Sequence, residues 1–470
     1  LPGSDANLKA RIKSLRSHLA TENPLLVSIV DRFCELDVVA YKLGILTNKQ
    51  SYTTDISWWP LISVLGTFSA GKSTFINHYV EKDLQKTGNQ AVDDKFTVIC
   101  FSSDNKIRVL PGLALDADPR FPLYQISEEI EQVAAGEGSR IDTYLQLKTC
   151  PSNLIKGKIL IDSPGFDADA QRTSTLRITD HIINLSDLVL VLFDARHPEP
   201  GAMRDTLEHL VAGTVRRNDS NKVLFILNQI DTTAAEDNAE EVVAAWQRAL
   251  AQGGLVSGRF YTIYNEEASI PIADEALHER YQRKRDVDLN EIYQRIAEVS
   301  VERVYRIIGS LENTAHHIEN SIVPQVQEAV LTWAKRALLI DIFVVGPIFI
   351  AQLIYILKHI GSGTAYASFG RTGLISAIIL ALLVLYLLHL LVRNFVATWV
   401  AKSLPDDDLS GSVRLGFLRN TRWWQPLVRP FIAGWNKNTR KKITEIREAA
   451  DIFVQKLNDE YTNPSGESKS

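Results

Sequence analysis

Gly66-Thr67-Phe68-Ser69-Ala70-Gly71-Lys72-Ser73 is the stretch on which the fold turns. It satisfies G-x-x-x-x-G-K-[ST] at every fixed position, with the apolar run 61–65 before it and the helical run 74–80 after it. A buried strand, a glycine loop and a helix start form a phosphate cradle. Glycines let successive backbone N–H groups curl round phosphate oxygens at the positive end of a helix. In this pattern Lys72 reaches the β- and γ-phosphates and the Ser73 hydroxyl ligates Mg²⁺. Residues 66–74, from Gly66 to Thr74, are therefore the candidate nucleotide-binding loop, with Lys72 and Ser69 as candidate catalytic groups.

Two further motifs follow in the expected order. Lys156-Gly-Lys-Ile-Leu-Ile-Asp162-Ser-Pro-Gly165 reads as a strand ending in Asp-x-x-Gly. Asp162 there can hold Mg²⁺ through water, and the Gly165 amide can meet a γ-phosphate. Val223-Leu-Phe-Ile-Leu-Asn228-Gln229-Ile230-Asp231 ends another buried strand. It is similar to the Asn-Lys-x-Asp base-recognition motif, with Gln229 at the lysine position. A carboxylate at Asp231 can accept both guanine N1–H and N2–H₂, a donor pair that adenine lacks. GTP is the nucleotide this favours, and ATP is the alternative left open by Gln229.

Outward from the motifs, short apolar runs alternate with helical segments: 61–65, 96–101, 158–161, 188–193, 223–227 and 260–264. That alternation predicts an α/β fold, a mainly parallel sheet with helices on both faces. On either side the rhythm is helical. Leu8, Ile12, Leu15 and Leu19 share one stripe, a second helix follows Pro24, and a third helical stretch runs to Lys335 with a kink expected at Pro324.

Two long apolar stretches come next, 337–357 and 373–392, joined by what composition reads as a Gly/Ser loop over 358–372. Each is long enough to span ~30 Å of hydrocarbon. Lys335, Arg336, Arg393 and Lys402 flank the pair, against Lys358 and Arg371 in the connection, which places both termini in the cytosol. Asp341 and His389 each fall near a span end, where they can reach headgroups. Between Ser410 and Thr444 there is no acidic residue, and arginines and lysines are interleaved with Phe417, Trp423, Trp424, Phe431 and Trp435. Arginine beside tryptophan next to a span suits anionic headgroups.

Composition bounds the rest. At 470 residues, 45% hydrophobic and 23% charged, the chain has room for more than one core. A net charge of −5 gives no global reason to expect nucleic acid, and none is expected as a partner. Cys34, Cys100 and Cys150 have no metal-ligand spacing and suit a reducing compartment. The first four residues read as an appended stretch leading straight into a polar helix rather than a secretory leader, and residues 463–470 as a disordered tail.

The motifs together resemble the G domains of the dynamin superfamily. Residues 68–77, Phe-Ser-Ala-Gly-Lys-Ser-Thr-Phe-Ile-Asn, and 191–196, Val-Leu-Phe-Asp-Ala-Arg, are similar to dynamins rather than to small regulatory GTPases. Ile-Asp-Ser-Pro-Gly (161–165) and Leu-Phe-Asp-Ala (192–195) also resemble the Eps15-homology-domain ATPases. Helices before and after the G domain with tandem spans look like mitofusins and bacterial dynamin-like proteins. The resemblance implies a membrane-anchored GTPase that uses Mg²⁺, pairs through its G domains, and tethers, fuses or remodels a bilayer. A bacterial inner membrane is favoured over an organelle outer membrane. The alternative is a membrane-tethered nucleotide switch that recruits effectors without remodelling.

Two departures stand out. Phe68 occupies the P-loop position where dynamins carry a polar catalytic residue, so orienting water falls to backbone, Ser69 or a switch residue. Thr97 is the nearest switch threonine but lies in an alternating strand pattern, and an Eps15-homology-like alignment puts Asp93 at that threonine's position. The expected organisation is N-terminal helices 5–54, G domain 55–275, helical neck 276–336, membrane hairpin 337–399, and a basic aromatic segment with a C-terminal helix over 400–462.

Overall fold

The computed structural model describes residues 5–67, 69–87, 95–118, 120, 141–165, 172–198, 222–253, 255, 258–361, 364–405, 411–428 and 431–461. Phe68, Asp93, Arg429 and the tail 463–470 lie outside the described residues. The chain folds as two compact units. One comprises residues 11–27 and 54–307, the other 1–10, 28–53 and 308–470.

The first unit is built on an eight-stranded sheet of order β3-β4-β2-β5-β1-β6-β7-β8. The strands are β1 (Leu61–Gly66), β2 (Phe96–Phe101), β3 (Arg108–Pro111), β4 (Leu145–Cys150), β5 (Ile159–Asp162), β6 (Leu188–Asp194), β7 (Val223–Asn228) and β8 (Arg259–Thr262). β5, β1, β6, β7 and β8 run parallel, while β2 is antiparallel to β5 and β3 to β4. Every residue of β1, β6 and β7 is buried, as expected for parallel strands covered on both faces.

The two-residue side-chain period sorts those strands between two cores. Ile62, Val64, Leu190, Leu192, Leu224 and Ile226 face one side with Phe75, Ile76 and Tyr79 of helix α3 (Lys72–Val80). Leu65, Val189, Val191, Phe193, Phe225 and Leu227 face the other with Ile183, Trp246 and Leu250. Helices α4 (Arg172–Leu185) and α5 (Ala239–Gln252) supply those last three. The expected α/β sheet with helices on both faces is what forms.

Two strands escaped the sequence. β3 is wholly exposed and carries Arg108 and Pro111, features of a guarded edge rather than of a core strand. β4 buries Lys148 within Leu145-Gln-Leu-Lys-Thr-Cys150, which breaks an apolar run. The last strand sits at Arg259–Thr262, slightly earlier than the run 260–264 suggested.

Within the same unit, residues 11–22 of α1 (Ala6–Glu22) bury Ile12, Leu15 and Leu19. Glu22 Oε2 accepts Trp59 Nε1–H at 2.5 Å and the Gly157 amide at 3.0 Å. At the start of β6, Asp187 is a buried hub. It accepts the Leu61 amide at 2.8 Å and pairs with Arg303 at 3.2 Å and Arg306 at 2.9 Å, both on helix α6 (Glu275–His317). Breaking a buried ion pair leaves uncompensated charge and costs about 3–5 kcal/mol. Asp187→Asn is therefore expected to destabilise this unit by roughly 3 kcal/mol. Denaturant unfolding followed by tryptophan fluorescence checks it, and an unchanged midpoint contradicts it.

The second unit is helical: α2 (Pro24–Leu43) from Ser28, the end of α6, α7 (Val323–Ile340), α8 (Gly346–Gly361), α9 (Thr364–Lys402), α10 (Val413–Asn420) and α11 (Lys437–Tyr461). Gly416 lets α10 lie close to its neighbours, since a Cβ there would meet Ile45 Cγ2 at 3.0 Å and Val326 Cγ2 at 3.1 Å. Lys442 pairs with Glu35 at 3.0 Å and Arg447 with Glu319 at 3.6 Å, tying α11 to two other stretches.

The helix does not simply kink at Pro324. Residues Ile318–Ile322 form a π-helical turn just before it, and Asp341–Val345 form a second just before Pro347. A proline lacks its N–H and crowds the preceding turn, and a wider π turn absorbs both problems without ending the helix.

The supposed loop 358–372 is also corrected. Helix continues to Gly361 and resumes at Thr364, because alanine and tyrosine among the glycines and serines still permit helical backbone. Asp341 and His389 do not reach outward separately. Asp341 Oδ2 lies 2.7 Å from His389 Nδ1, since the antiparallel pairing of the two helices brings them together. Two described helices are long and apolar enough to cross a membrane. Their most apolar windows are only 6% and 11% buried, unlike the core helix of a soluble protein.

Candidate functional site

The site grows from the C-terminal edge of the parallel strands, where open α/β sheets bind ligands. β1 ends at Gly66 beside β6, paired with Leu192, and a Cβ on Gly66 would meet the Leu192 carbonyl at 2.8 Å. Gly71 stands at φ +80 as the N-cap of α3, and a Cβ there would collide with Asn228 Nδ2. Both fixed glycines are thus required by close approach, and the second also by left-handed backbone. Ser69 adopts φ +62 without being glycine, a strained conformation of the kind found at ligand-binding loops.

Three side chains hold the loop in shape. Lys72 is nearly buried, and its Nζ donates to the Gly66 carbonyl at 2.9 Å and the Thr67 carbonyl at 3.2 Å. The ammonium therefore spans the inside of the loop, where phosphate would lie. Asn228 Nδ2 donates to the Ala70 carbonyl at 2.9 Å, and Gln229 Nε2 donates to the Ser69 carbonyl at 2.6 Å. The residue at the lysine position of the base motif is thus a second strap on the phosphate loop. Ser73 and Thr74 follow in the first turn of α3.

Asp162 ends β5 beside Val64 of β1, and the Ser163 amide bonds the Val64 carbonyl at 3.0 Å. Its Oδ2 accepts Gln85 Nε2–H at 2.5 Å, and Gln85 Oε1 accepts from Lys148 Nζ. Gln85 is itself fixed by Asn77, whose Oδ1 accepts the Gln85 amide at 2.7 Å and whose Nδ2 donates to the Gln85 carbonyl at 2.7 Å. No motif marks Gln85 or Lys148, because Gln85 stands 77 residues from Asp162 and 63 from Lys148 along the chain, and the quoted stretch 68–77 ends on Asn77 without indicating this role. Gly165 lies three residues beyond Asp162, and Thr97 sits inside β2, opposite Asp162 and bonded to Gln146 Nε2 at 2.7 Å.

The hydroxyl of Ser73 and the carboxylate of Asp162 are hard oxygen donors from adjacent elements, which suits Mg²⁺. Among the described residues no group of three His, Cys, Asp or Glu could hold a metal. Mg²⁺ fits such a site because it keeps waters and phosphate oxygens as its other ligands.

Asp231 lies on a short 3₁₀ turn after β7, buried, with Oδ2 accepting the Ile270 amide at 2.9 Å. Burial pushes its pKa above the usual carboxylate value, opposed by the backbone bonds it accepts and by Arg196. Arg196 is clamped by Asp194 at 2.6 Å, and the Ala195 amide bonds the Asn228 carbonyl at 2.9 Å. The Phe-Asp-Ala-Arg segment is thereby placed against the base motif. A cavity of about 240 Å³ opens beside Asn228, lined among others by Thr74, Phe75, His78, Tyr264 and Asn265. Tyr264 and Asn265, just past β8, carried no signal beyond an apolar strand and its end. Arg285 of α6 stacks over Tyr264 at 4.9 Å and pairs with Glu266 at 2.9 Å, fixing that corner.

A glycine loop between β1 and α3, a carboxylate ending the adjacent strand and an Asn-x-x-Asp running from the end of β7 into the next turn are the arrangement of a P-loop G-domain fold. Residues 62–230 match the sequence profile of the dynamin family.

Among curated relatives, EH domain-containing protein 1 of Arabidopsis thaliana is 23% identical over 49% of this chain and 42% of its own length. EH domain-containing protein 1 of Homo sapiens is 24% identical over 37% of this chain and 31% of its own length. The chain thus spans well under half the length of either. A solved structure of an oligomerised bacterial dynamin pair is 15% identical, covering 99% of this chain and 77% of that one, with a TM-score of 0.34. A bacterial dynamin GTPase, LeoA from ETEC, is 12% identical, covering 95% and 90%, with a TM-score of 0.32. At such scores the overall likeness of shape decides nothing.

Groups that hydrogen-bond a metal ligand typically change metal affinity 10–100-fold when removed. Gln85→Leu is therefore expected to raise the Mg²⁺ concentration needed for nucleotide binding by about tenfold. Titrating Mg²⁺ against a fluorescent GTP analogue measures this, and an unmoved midpoint would show that Gln85 does not position Asp162.

Proposed function

We propose that the chain is a GTP hydrolase anchored in a bilayer, in which nucleotide-dependent pairing of G domains tethers or remodels membrane. One observation carries this reading: a full P-loop sequence motif, with Lys72 turned into its own loop, shares its chain with two long apolar helices whose surfaces are left exposed. In this reading the amides of residues 66–74 and Lys72 bind the triphosphate, and Asn228, Gln229 and Asp231 frame the base. Ser73 and Asp162 would hold Mg²⁺, which supplies charge neutralisation at the phosphates.

Catalysis is then mostly positioning and electrostatics, with little covalent work for the protein. Lys72 offsets charge on the transferred phosphoryl group. Gly165 offers its amide to the γ-phosphate, and Ser69 or backbone orients water in place of the polar side chain that Phe68 lacks. The helices around 337–357 and 373–392 would cross the membrane with both termini on the nucleotide side. Gln229 and the similarity to EH domain-containing proteins favour one second reading, in which ATP replaces GTP as substrate.

The experiment is reconstitution of the full chain into vesicles of mixed neutral and anionic lipid, imaged by electron microscopy with GTP and with GDP. Vesicle clustering or deformation with GTP, absent with GDP, is expected. Identical images in both states would instead favour a tethered switch.

A further inference from the structure

The second unit carries an exposed aromatic surface that the nucleotide site does not explain. Residues 421–428 form turns directly after α10, and Trp423, Trp424 and Val428 are 64%, 56% and 70% exposed. Phe431 is 61% exposed. Bare tryptophans side by side in water are unfavourable, and an apolar patch of this kind marks an interaction site. The two rings meet edge-on at 5.5 Å, and Arg422 stacks over Trp424 at 5.3 Å.

The height of this surface along the hairpin is set by Arg393, buried at the end of the second apolar stretch. Its Nη2 donates to the carbonyls of Arg422 at 3.0 Å and Gln425 at 2.7 Å. Its guanidinium lies 5.1 Å over Trp333, and Trp333 Nε1 donates back to the Arg393 carbonyl at 3.1 Å. Arg336, just before the first apolar stretch, stacks over exposed Trp399 at 4.4 Å. Cations and aromatic rings thus gather at the basal end of the hairpin, the arrangement of a membrane interface. From 411 to 443 the sequence has eight Lys or Arg and no Asp or Glu. An anionic surface complements that charge.

We infer that the Trp423–Trp424–Val428–Phe431 surface is a second membrane element, one that beds into the headgroup layer of an anionic leaflet beside the base of the hairpin. The inference rests on the reading of 337–357 and 373–392 as a bilayer anchor. Arg393 fixes the depth, the rings occupy the interface between headgroups and chains, and the surrounding arginines and lysines bind lipid phosphate. A protein or nucleic-acid partner would leave the same residues in water when only lipid is present.

The test uses the full chain with Cys34→Ala, since Cys100 and Cys150 are buried. An environment-sensitive fluorophore is placed at Val428→Cys or, as reference, at exposed Ile379→Cys in the hairpin. Proteins are reconstituted into phosphatidylcholine vesicles with or without phosphatidylglycerol, doped with nitroxide lipids labelled at the headgroup or at the chain end. The inference predicts a blue shift at Val428→Cys and stronger quenching by headgroup nitroxide than by chain-end nitroxide, with the order reversed at Ile379→Cys. Phosphatidylglycerol should increase the quenching at Val428→Cys, and Arg422→Gln should reduce that increase. Deep quenching at Ile379→Cys with a water-exposed Val428→Cys would overturn the inference and leave the anchor standing. Water exposure at both sites would overturn the anchor as well. Quenching at Val428→Cys that ignores phosphatidylglycerol would overturn the anionic preference.

Discussion

Lys72→Ala is expected to lower GTP turnover by at least about a hundredfold, the scale of losing one electrostatic contact to the transition state. The reason lies in the loop itself. The Lys72 ammonium is almost wholly buried, yet it donates to two carbonyls of its own loop, those of Gly66 and Thr67. A buried cation with that reach is held at the centre of the cradle rather than at its surface. Alanine deletes the charge but keeps the helix start, because the Phe75 amide still bonds the Gly71 carbonyl at 2.9 Å. Melting temperature should therefore move little while phosphate release collapses. Lys72→Met, which preserves the buried stem, separates packing from charge and should behave like alanine in turnover. Turnover within threefold of the parent in both variants would show that phosphate does not lie on this loop.

The second large effect concerns the base. Asp231→Asn should weaken GTP by roughly a hundredfold or more, since two hydrogen bonds to a charged acceptor, each about 1.5–3 kcal/mol, are lost or inverted. The asparagine amide would face the guanine N2–H₂ donor with a donor of its own. Xanthosine triphosphate carries a carbonyl at that position and should regain affinity. ATP, which cannot donate such a pair, should be unaffected. Competition of the three nucleotides against a fluorescent analogue reads all of this in one series. Unchanged GTP affinity with weakened ATP would show that the pocket is built for adenine.

How much of this was legible in the sequence follows from which constraints are local. The phosphate loop depends on two glycines, one lysine and one hydroxyl within eight residues, so its pattern survives without a fold around it. β1, β6 and β7 were legible because strands covered on both faces read as unbroken apolar runs. β4 was not, because its Lys148 is stabilised by Gln85 across 63 residues and looks polar and exposed until that partner is in place.

Gln85 itself is a glutamine in an unremarkable loop. Only the fold carries it to Asp162. Tyr264 and Asn265 were hidden for the same reason, since their role depends on which cavity the end of β8 borders. The π turns before Pro324 and Pro347 show another limit. Proline marks a place where the helix must adjust, but neighbouring packing decides whether it bends, widens or stops. The pairing of Asp341 with His389 needed the hairpin to bring two separate polar residues to one level.

The most direct measurement is phosphate release by the full chain in anionic vesicles, run with GTP and with ATP at equal concentration. A dynamin-type hydrolase anchored in its membrane should turn over GTP in clear preference to ATP, and should do so faster in vesicles than in detergent. Preference for ATP, or a GTP rate indifferent to the bilayer, would contradict that claim.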